Sequence, residues 1–164
     1  MSTRELNREG GGNPPRPTPY LTAALLCERI LVEKDNVKSI IRIVDKITHT
    51  VEGPDPPHVM EPFTHTLSML VAFRRGETVE SRQLGVVIVG PTGNRTDIVG
   101  SPVNFEGEPG SGIDVLGQFT MNIEQAGIYW FEISIDGQII TRIPLRVVYE
   151  RIVKLPATPG AAEG

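Results

Sequence analysis

Residues 127–148 read Gly-Ile-Tyr-Trp-Phe-Glu-Ile-Ser-Ile-Asp-Gly-Gln-Ile-Ile-Thr-Arg-Ile-Pro-Leu-Arg-Val-Val, and this stretch decides the fold. Tyr129, Phe131, Ile133 and Ile135 alternate with Trp130, Glu132 and Ser134; beyond Asp136-Gly137, Ile139, Thr141, Ile143, Leu145 and Val147 alternate again. Two runs of period two around Asp-Gly predict a β-hairpin. The dipeptide by itself suggests a two-residue type I′ turn. A regular turn of that kind sets odd positions opposite even ones. The odd apolar set of the first strand would then share a face with Gln138, Ile140, Arg142 and Arg146, which buries charge. An odd loop removes the conflict. A three-residue loop, Ile135-Asp136-Gly137, with Gly137 left-handed at a G1 bulge, pairs 134 with 138. Tyr129 is then expected opposite Ile143 and Phe131 opposite Thr141 on the core side. Trp130 is expected opposite Arg142, and Ile128 opposite Pro144, on the outside.

Outward from this hairpin the same period recurs. In 63–73, Phe63, His65, Leu67, Met69, Val71 and Phe73 share one face; in 118–123, Phe119, Met121 and Ile123 do so. The runs 21–32, 38–48 and 83–90 are apolar and branched with weaker alternation, as strands covered on both sides are. Residues 21–31 could be read as a helix, but strand is the better reading. Turn formers separate the runs: Asp35-Asn36, Gly53 to Pro57, Arg75-Gly76-Glu77, Pro91-Thr92-Gly93, Glu108 to Gly112 and Asp136-Gly137. Seven or eight strands so punctuated predict an all-β, antiparallel sandwich.

Composition agrees and sets limits. The 164 residues include 17 Gly and 14 Pro, about 19% against a usual share near 12%. Part of the excess lies in residues 1–19, with Pro14, Pro15, Pro17, Pro19 and Gly10 to Gly12, and in 155–164. Both segments are too poor in large apolar side chains to offset their ordering entropy and are expected to be disordered tails around a 20–154 domain. No apolar run reaches the ~18 residues of a membrane-spanning helix. One cysteine excludes a disulfide framework and a multi-thiolate zinc site. A net charge of −4 argues against gripping a nucleic-acid backbone, and Arg74-Arg75 is the only adjacent basic pair. The run Leu21 to Cys27 lacks a small residue before the cysteine and is followed by Glu28-Arg29, so a lipoprotein signal is not expected and the cytoplasm is. Asn94-Arg95-Thr96 is read as a turn, not as a glycosylation site.

A resemblance appears at Gln125-Ala126-Gly127-Ile128-Tyr129-Trp130-Phe131. This segment resembles the tyrosine corner of immunoglobulin-like sandwiches, which carry a small residue two before the Tyr. The resemblance implies that the Tyr129 hydroxyl bonds back to nearby backbone. It also places Phe131 where antibody-type domains have a cysteine, so the inter-sheet disulfide would be missing. The longer layout is similar to a family of small uncharacterised bacterial sandwich proteins, a domain of unknown function. Its features here are Leu25-Leu26-Cys27, Val87-Ile88-Val89-Gly90-Pro91-Thr92-Gly93 and the Gly127-Ile128-Tyr129…Asp136-Gly137 hairpin, over about 20–150. It implies a fold and no activity.

Chemistry-bearing patterns are weak. His49, His58 and His65 with Asp45, Asp55 or Glu61 are candidate metal ligands, but Asp45 and His49 on one strand would stand ~13 Å apart. They read as unrelated polar residues, so no metal or cofactor is expected. Cys27 in an apolar strand reads as a small buried hydrophobe. Gly110-Ser111-Gly112 and Gly90-Pro91-Thr92-Gly93 read as turns, without the context of a nucleophile elbow or a phosphate loop. Glu106, Glu108, Asp97 and Asp114 read as solvated loop charge rather than a calcium site. No catalytic residue is assigned.

The remaining signal is the outer face of the closing hairpin, where Ile128, Trp130, Glu132, Ile140, Arg142, Pro144 and Arg146 are expected together. Trp and Arg are enriched at interface centres, and an apolar cluster on a solvent-facing sheet marks a contact. The expectation is a non-catalytic interaction or assembly module of the bacterial cytosol. It would use this face or a sheet edge to bind a protein partner or itself, and neither nucleic acid nor membrane. The alternative is a carbohydrate- or small-ligand-binding sandwich with Trp130 and Tyr149 as platforms.

Overall fold

The computed structural model describes residues 18–78 and 80–160. Most of the 1–19 tail and the end of the 155–164 tail therefore lie outside the described residues. The described residues form nine strands and no helix: β1 Tyr20–Val32, β2 Lys38–Ile43, β3 Lys46–Gly53, β4 Phe63–Arg74, β5 Glu80–Val89, β6 Arg95–Phe105, β7 Gly112–Ile123, β8 Gly127–Ile135 and β9 Gln138–Val153. Two sheets hold them, in the orders β2-β1-β4-β7 and β3-β9-β8-β5-β6. The fold is an all-β sandwich.

The alternating residues make the core. Leu67, Met69, Val71 and Phe73 of β4 meet Leu84 and Val86 of β5, Phe131 and Ile133 of β8, and Leu145 and Val147 of β9 between the sheets. Phe73 and Phe105 pack edge to face at 5.6 Å and 89°, and Phe119 tilts against Phe131 at 5.4 Å. Such ring pairs add to plain area burial.

Four features differ from the sequence reading. The strand count is nine. Residues 95–105 form β6, and the run 38–48 divides at Val44-Asp45. There the Val44 N–H donates to the Leu26 carbonyl of one sheet at 2.9 Å and the Arg146 N–H donates to the Asp45 carbonyl in the other at 2.9 Å, so the chain changes sheets. Second, the sandwich is not wholly antiparallel: β3 runs parallel to β9 from Lys46↔Arg146 to Gly53↔Val153.

Third, the closing hairpin resolves its parity conflict differently. Asp136 (φ 49°) and Gly137 (φ 78°) form a two-residue turn of type I′ sign, pairing Ile135 with Gln138 and Ser134 with Ile139. A break between Ile133 and Ser134 then leaves Ile140 as the extra residue. Beyond it Ile133 faces Thr141, Phe131 faces Ile143, Tyr129 faces Leu145 and Trp130 faces Pro144. From Thr141 to Val147 the inward set is the expected one, but Ile139, expected inward, turns outward; the odd residue is a bulge inside β9, and the register lies one pair away from that expected. Asp136 is locked into the turn by its N–H to the Gln83 carbonyl and by its carboxylate accepting from Gln83 N–H and Arg82, each at 2.8 Å. The Arg82 guanidinium, and then the Gln83 N–H, hold its pKa below the usual range.

The fourth feature is a fold-back. In a flat sheet Lys38, opposite Val32, would stand nine residues along β1 from the Ala23–Ala72–Asp114 row, ~30 Å away. Instead Lys38 Nζ lies 2.9 Å from Asp114 Oδ2 on β7. The β1–β2 hairpin therefore bends over the outer face of its own sheet. The bend falls at Glu28 and Arg42, where Arg42 takes φ 51° and pairs with Glu28 at 3.1 Å. Arg29 and Ile30 then stand over Ser68, Leu116 and Gln118, beside a shallow open hollow of about 250 Å³. This cover explains why Cys27, on the outward side beside Ser68, has no exposed surface. Burial pushes the Cys27 thiol pKa up.

Candidate interaction face

With the first sheet covered by its own hairpin, the outer face of the second sheet is the open one. Strand alternation lays Ile128, Trp130, Glu132 and Ser134 of β8 on it. Opposite them on β9 stand Arg146, Pro144, Arg142 and Ile139. On the other side β5 supplies Val89 beside Trp130 and Val87 beside Glu132. Trp130 is 39% exposed and Ile128 45%, so among the described residues this apolar surface is left uncovered. A shallow hollow of about 460 Å³ opens between Ile128, Pro144, Arg146, Asp45 and Lys46.

Glu132 is the anomaly, a carboxylate only 7% exposed on an outward face. Burying a charge is tolerated when it is paired. Its Oε2 accepts from Arg95 Nη2 at 2.5 Å and its Oε1 from Arg142 Nε at 3.1 Å. Arg95 reaches it from β6, two strands away, and Arg142 from β9, so the carboxylate ties three strands together. The Arg95 hydrogen bond, then that from Arg142, pulls the Glu132 pKa below its ordinary value against the opposing effect of burial. Both oxygens are occupied by guanidinium donors, leaving a fixed anion rather than a free base.

Six of the seven expected residues come together: Ile128, Trp130, Glu132, Arg142, Pro144 and Arg146. Ile140 does not. As the bulged residue it lines a separate opening at the end of the sandwich with Tyr20, Leu21, Phe73 and Ile135. Ile139 takes its place on the outer face. Arg95 and Lys46 were missed. Arg95 lay in Asn94-Arg95-Thr96, read as a turn; it instead opens β6, whose edge position tolerates Gly100 and Pro102. Lys46 joins only through the parallel β3–β9 pairing.

The two aromatic platforms of the ligand-binding alternative do not share a face. Tyr149 follows Val147 to the opposite side of β9, where its ring stacks 6.0 Å from His49 and its hydroxyl donates to the Pro57 carbonyl at 2.7 Å. The histidines are dispersed. His49 stacks on Phe63 at 4.3 Å, His58 Nδ1 lies 2.9 Å from Arg151 Nη1, and His65 sits opposite Met121. Among the described residues no three His, Cys, Asp or Glu side chains converge. The acidic candidates are spread too: Asp114 pairs with Lys38, and Glu106 and Glu108 flank Gly107, whose carbonyl accepts from buried Arg75 at 2.5 Å.

Fold and face together define an all-β sandwich with one lidded sheet and one open, Trp-centred sheet. Residues 22–148 match a family described as Family of unknown function (DUF6941), and the chain belongs to that family. No curated protein matches the chain.

Proposed function

We propose that this protein is a non-catalytic interaction and assembly module of the bacterial cytosol that seats a protein surface on the Trp130 face. A second copy is the simplest such surface. The carrying observation is the half-exposed Trp130–Ile128–Pro144 cluster on a sheet face left open while the other sheet is lidded. The face carries both signs: Glu132 is paired with Arg95 and Arg142 within the chain, and Asp45 stands beside Lys46 and Arg146 at the rim of the Ile128–Pro144 hollow. Two groups that chemistry would need are engaged: the Cys27 thiol is sealed, and Glu132 is held by two guanidiniums. The lone thiol also suits a reducing compartment, and the bacterial assignment rests on the family resemblance. We read the sandwich as immunoglobulin-like. Support comes from β3 running parallel to β9 beside β8 and β5, and from the Tyr129 hydroxyl donating to the Gln125 carbonyl at 3.0 Å.

Trp130 is the single tryptophan, so its fluorescence reports this face alone. Raising protein concentration is expected to shift its emission to the blue and reduce quenching by acrylamide. Ile128→Glu should prevent both while leaving the fold intact. Emission that stays constant from micromolar to millimolar protein, with a melting temperature raised by oligosaccharide or calcium, would sink the proposal.

A further inference from the structure

A sheet edge presents unpaired backbone donors and acceptors, and proteins protect such edges with short strands, charge, proline or bulges. Among the described residues this sandwich has four edges: β2, β7, β3 and β6. Three are protected. Strand β2 has six residues and a left-handed Arg42. Strand β6 contains Pro102 and a register break opposite Val86/Val87. Strand β3 has eight residues, with Lys46 at its start and Glu52 next to its end.

Strand β7 has none of these devices in its own sequence; the β1–β2 hairpin lies over its outer face through Lys38–Asp114, but no strand pairs with its free edge. It runs 12 residues, pairs with β4 without a register break from Phe63↔Ile123 to Arg74↔Gly112, and contains no proline and a single charged side chain, Asp114. A second observation lies on the same flank. Ile113, Val115 and Phe119 of β7, with Ile98 and Val99 of β6, face the core yet remain only half-buried. The two strands border a common groove, where Thr96 and Ile98 face Thr120 and Met121. The sandwich is thus left open along β7, both in its backbone hydrogen bonds and in its apolar layer.

We propose that β7 pairs antiparallel with β7 of a second copy about a two-fold axis at Gly117, joining the two four-stranded sheets into one of eight. The sequence of the strand fits itself in this register. On the core side Val115 meets Phe119 of the other copy and Ile113 meets Met121, the aromatic and β-branched pairings that stabilise sheets. On the outer side Leu116 meets Gln118, and Asp114 meets Thr120, so no charge opposes its like. Gly117 lies at the axis, where a Cβ would meet nothing within 4 Å in the single chain. The contact is separate from the Trp130 face and does not depend on it.

The test is sedimentation equilibrium of the full chain, combined with hydrogen exchange, on the wild type and on Leu116→Lys/Gln118→Lys. Both side chains are exposed beside Arg29 and Ile30 of the hairpin, and an unchanged circular dichroism spectrum with a cooperative melt checks that the variant keeps the fold. The double variant sets lysines directly opposite one another across the two-fold and should raise the dimer dissociation constant about tenfold or more. The β7 amides of the wild type should exchange more slowly as concentration rises, and those of the variant should not. A wild type that stays monomeric to millimolar concentration overturns the proposal. So does a dimer unmoved by the two lysines, or β7 exchange that ignores concentration. A dimer lost in Ile128→Glu but kept in the lysine variant would uphold the Trp130 face and reject the β7 pairing; the converse would do the reverse.

Discussion

Glu132→Gln isolates the carboxylate at the centre of the open face. The change keeps size and shape but removes the charge that accepts from Arg95 at 2.5 Å and from Arg142 at 3.1 Å. Fully buried pairs of this kind can be worth several kcal/mol, but both arginine side chains are 55% exposed. They regain water when the partner is lost, so each pair is set near the upper end of the surface range, ~1 kcal/mol. The variant is therefore expected to lose about 1–2 kcal/mol at pH 7, a fall of roughly 3–6 °C in melting temperature for a domain of this size. The pH dependence follows from the depressed folded pKa of Glu132. A lowered folded value means the carboxylate contributes stability that is fully present above its unfolded pKa of ~4.3 and is lost as pH falls through the lower folded value. Urea unfolding at pH 7 and again near pH 3 measures both. The gap between wild type and variant should be open at pH 7 and narrow in acid, and high salt should reduce it through the exposed guanidinium ends. Asp136, lowered by Arg82, titrates in the same region in both proteins and cancels from the difference. A gap that is zero at pH 7, or equally large at pH 3, would refute the assignment of Glu132 as the charged tie between β6, β8 and β9.

Two further outcomes are expected. Tyr129→Phe removes the hydroxyl that donates to the Gln125 carbonyl at 3.0 Å from a residue 4% exposed. It should cost about 1–1.5 kcal/mol in urea unfolding, and an unchanged midpoint would show that the bond contributes nothing. Cys27, sealed under the β1–β2 hairpin, should resist a disulfide reagent in the native protein and react fully in urea; immediate native reaction would mean that the hairpin does not stay folded over the sheet.

The inward faces were legible because alternation is a local property. Leu67, Met69, Val71, Tyr129, Phe131, Ile133, Leu145 and Val147 all lie in the core as their spacing requires. The parity conflict at Asp136-Gly137 was also legible, since charge at Arg142 and Arg146 forbids the regular register. Its solution was not, because a wider loop and a bulge at Ile140 satisfy the same parity and differ only in which residue is left over. Hence Ile140 was placed on the face that Ile139 occupies. Strand β6 was hidden because Gly100 and Pro102 are breakers except at an edge, and edge position is a property of the whole sheet. The β1–β2 fold-back depends on where Asp114 stands relative to Lys38, a relation between residues 76 positions apart. Arg95 was lost with β6, so Glu132 looked like an ordinary outward charge instead of a buried, doubly held one.

The parallel pairing of β3 with β9 has a consequence for how the chain is made. Lys46 and Arg146 are partners across 100 residues, and closing so long a loop precedes any reward from the contact. On a ribosome, residues 46–53 emerge long before 146–153 exist, so this early strand waits without its ladder while everything between is synthesised. The last strand to appear closes the second sheet from both sides, onto β8 and onto β3. A chain interrupted shortly before Arg146 would carry nearly the whole core composition and still leave its own beginning unpaired. Completion of this sandwich thus waits on β9, the strand that pairs with both β3 and β8.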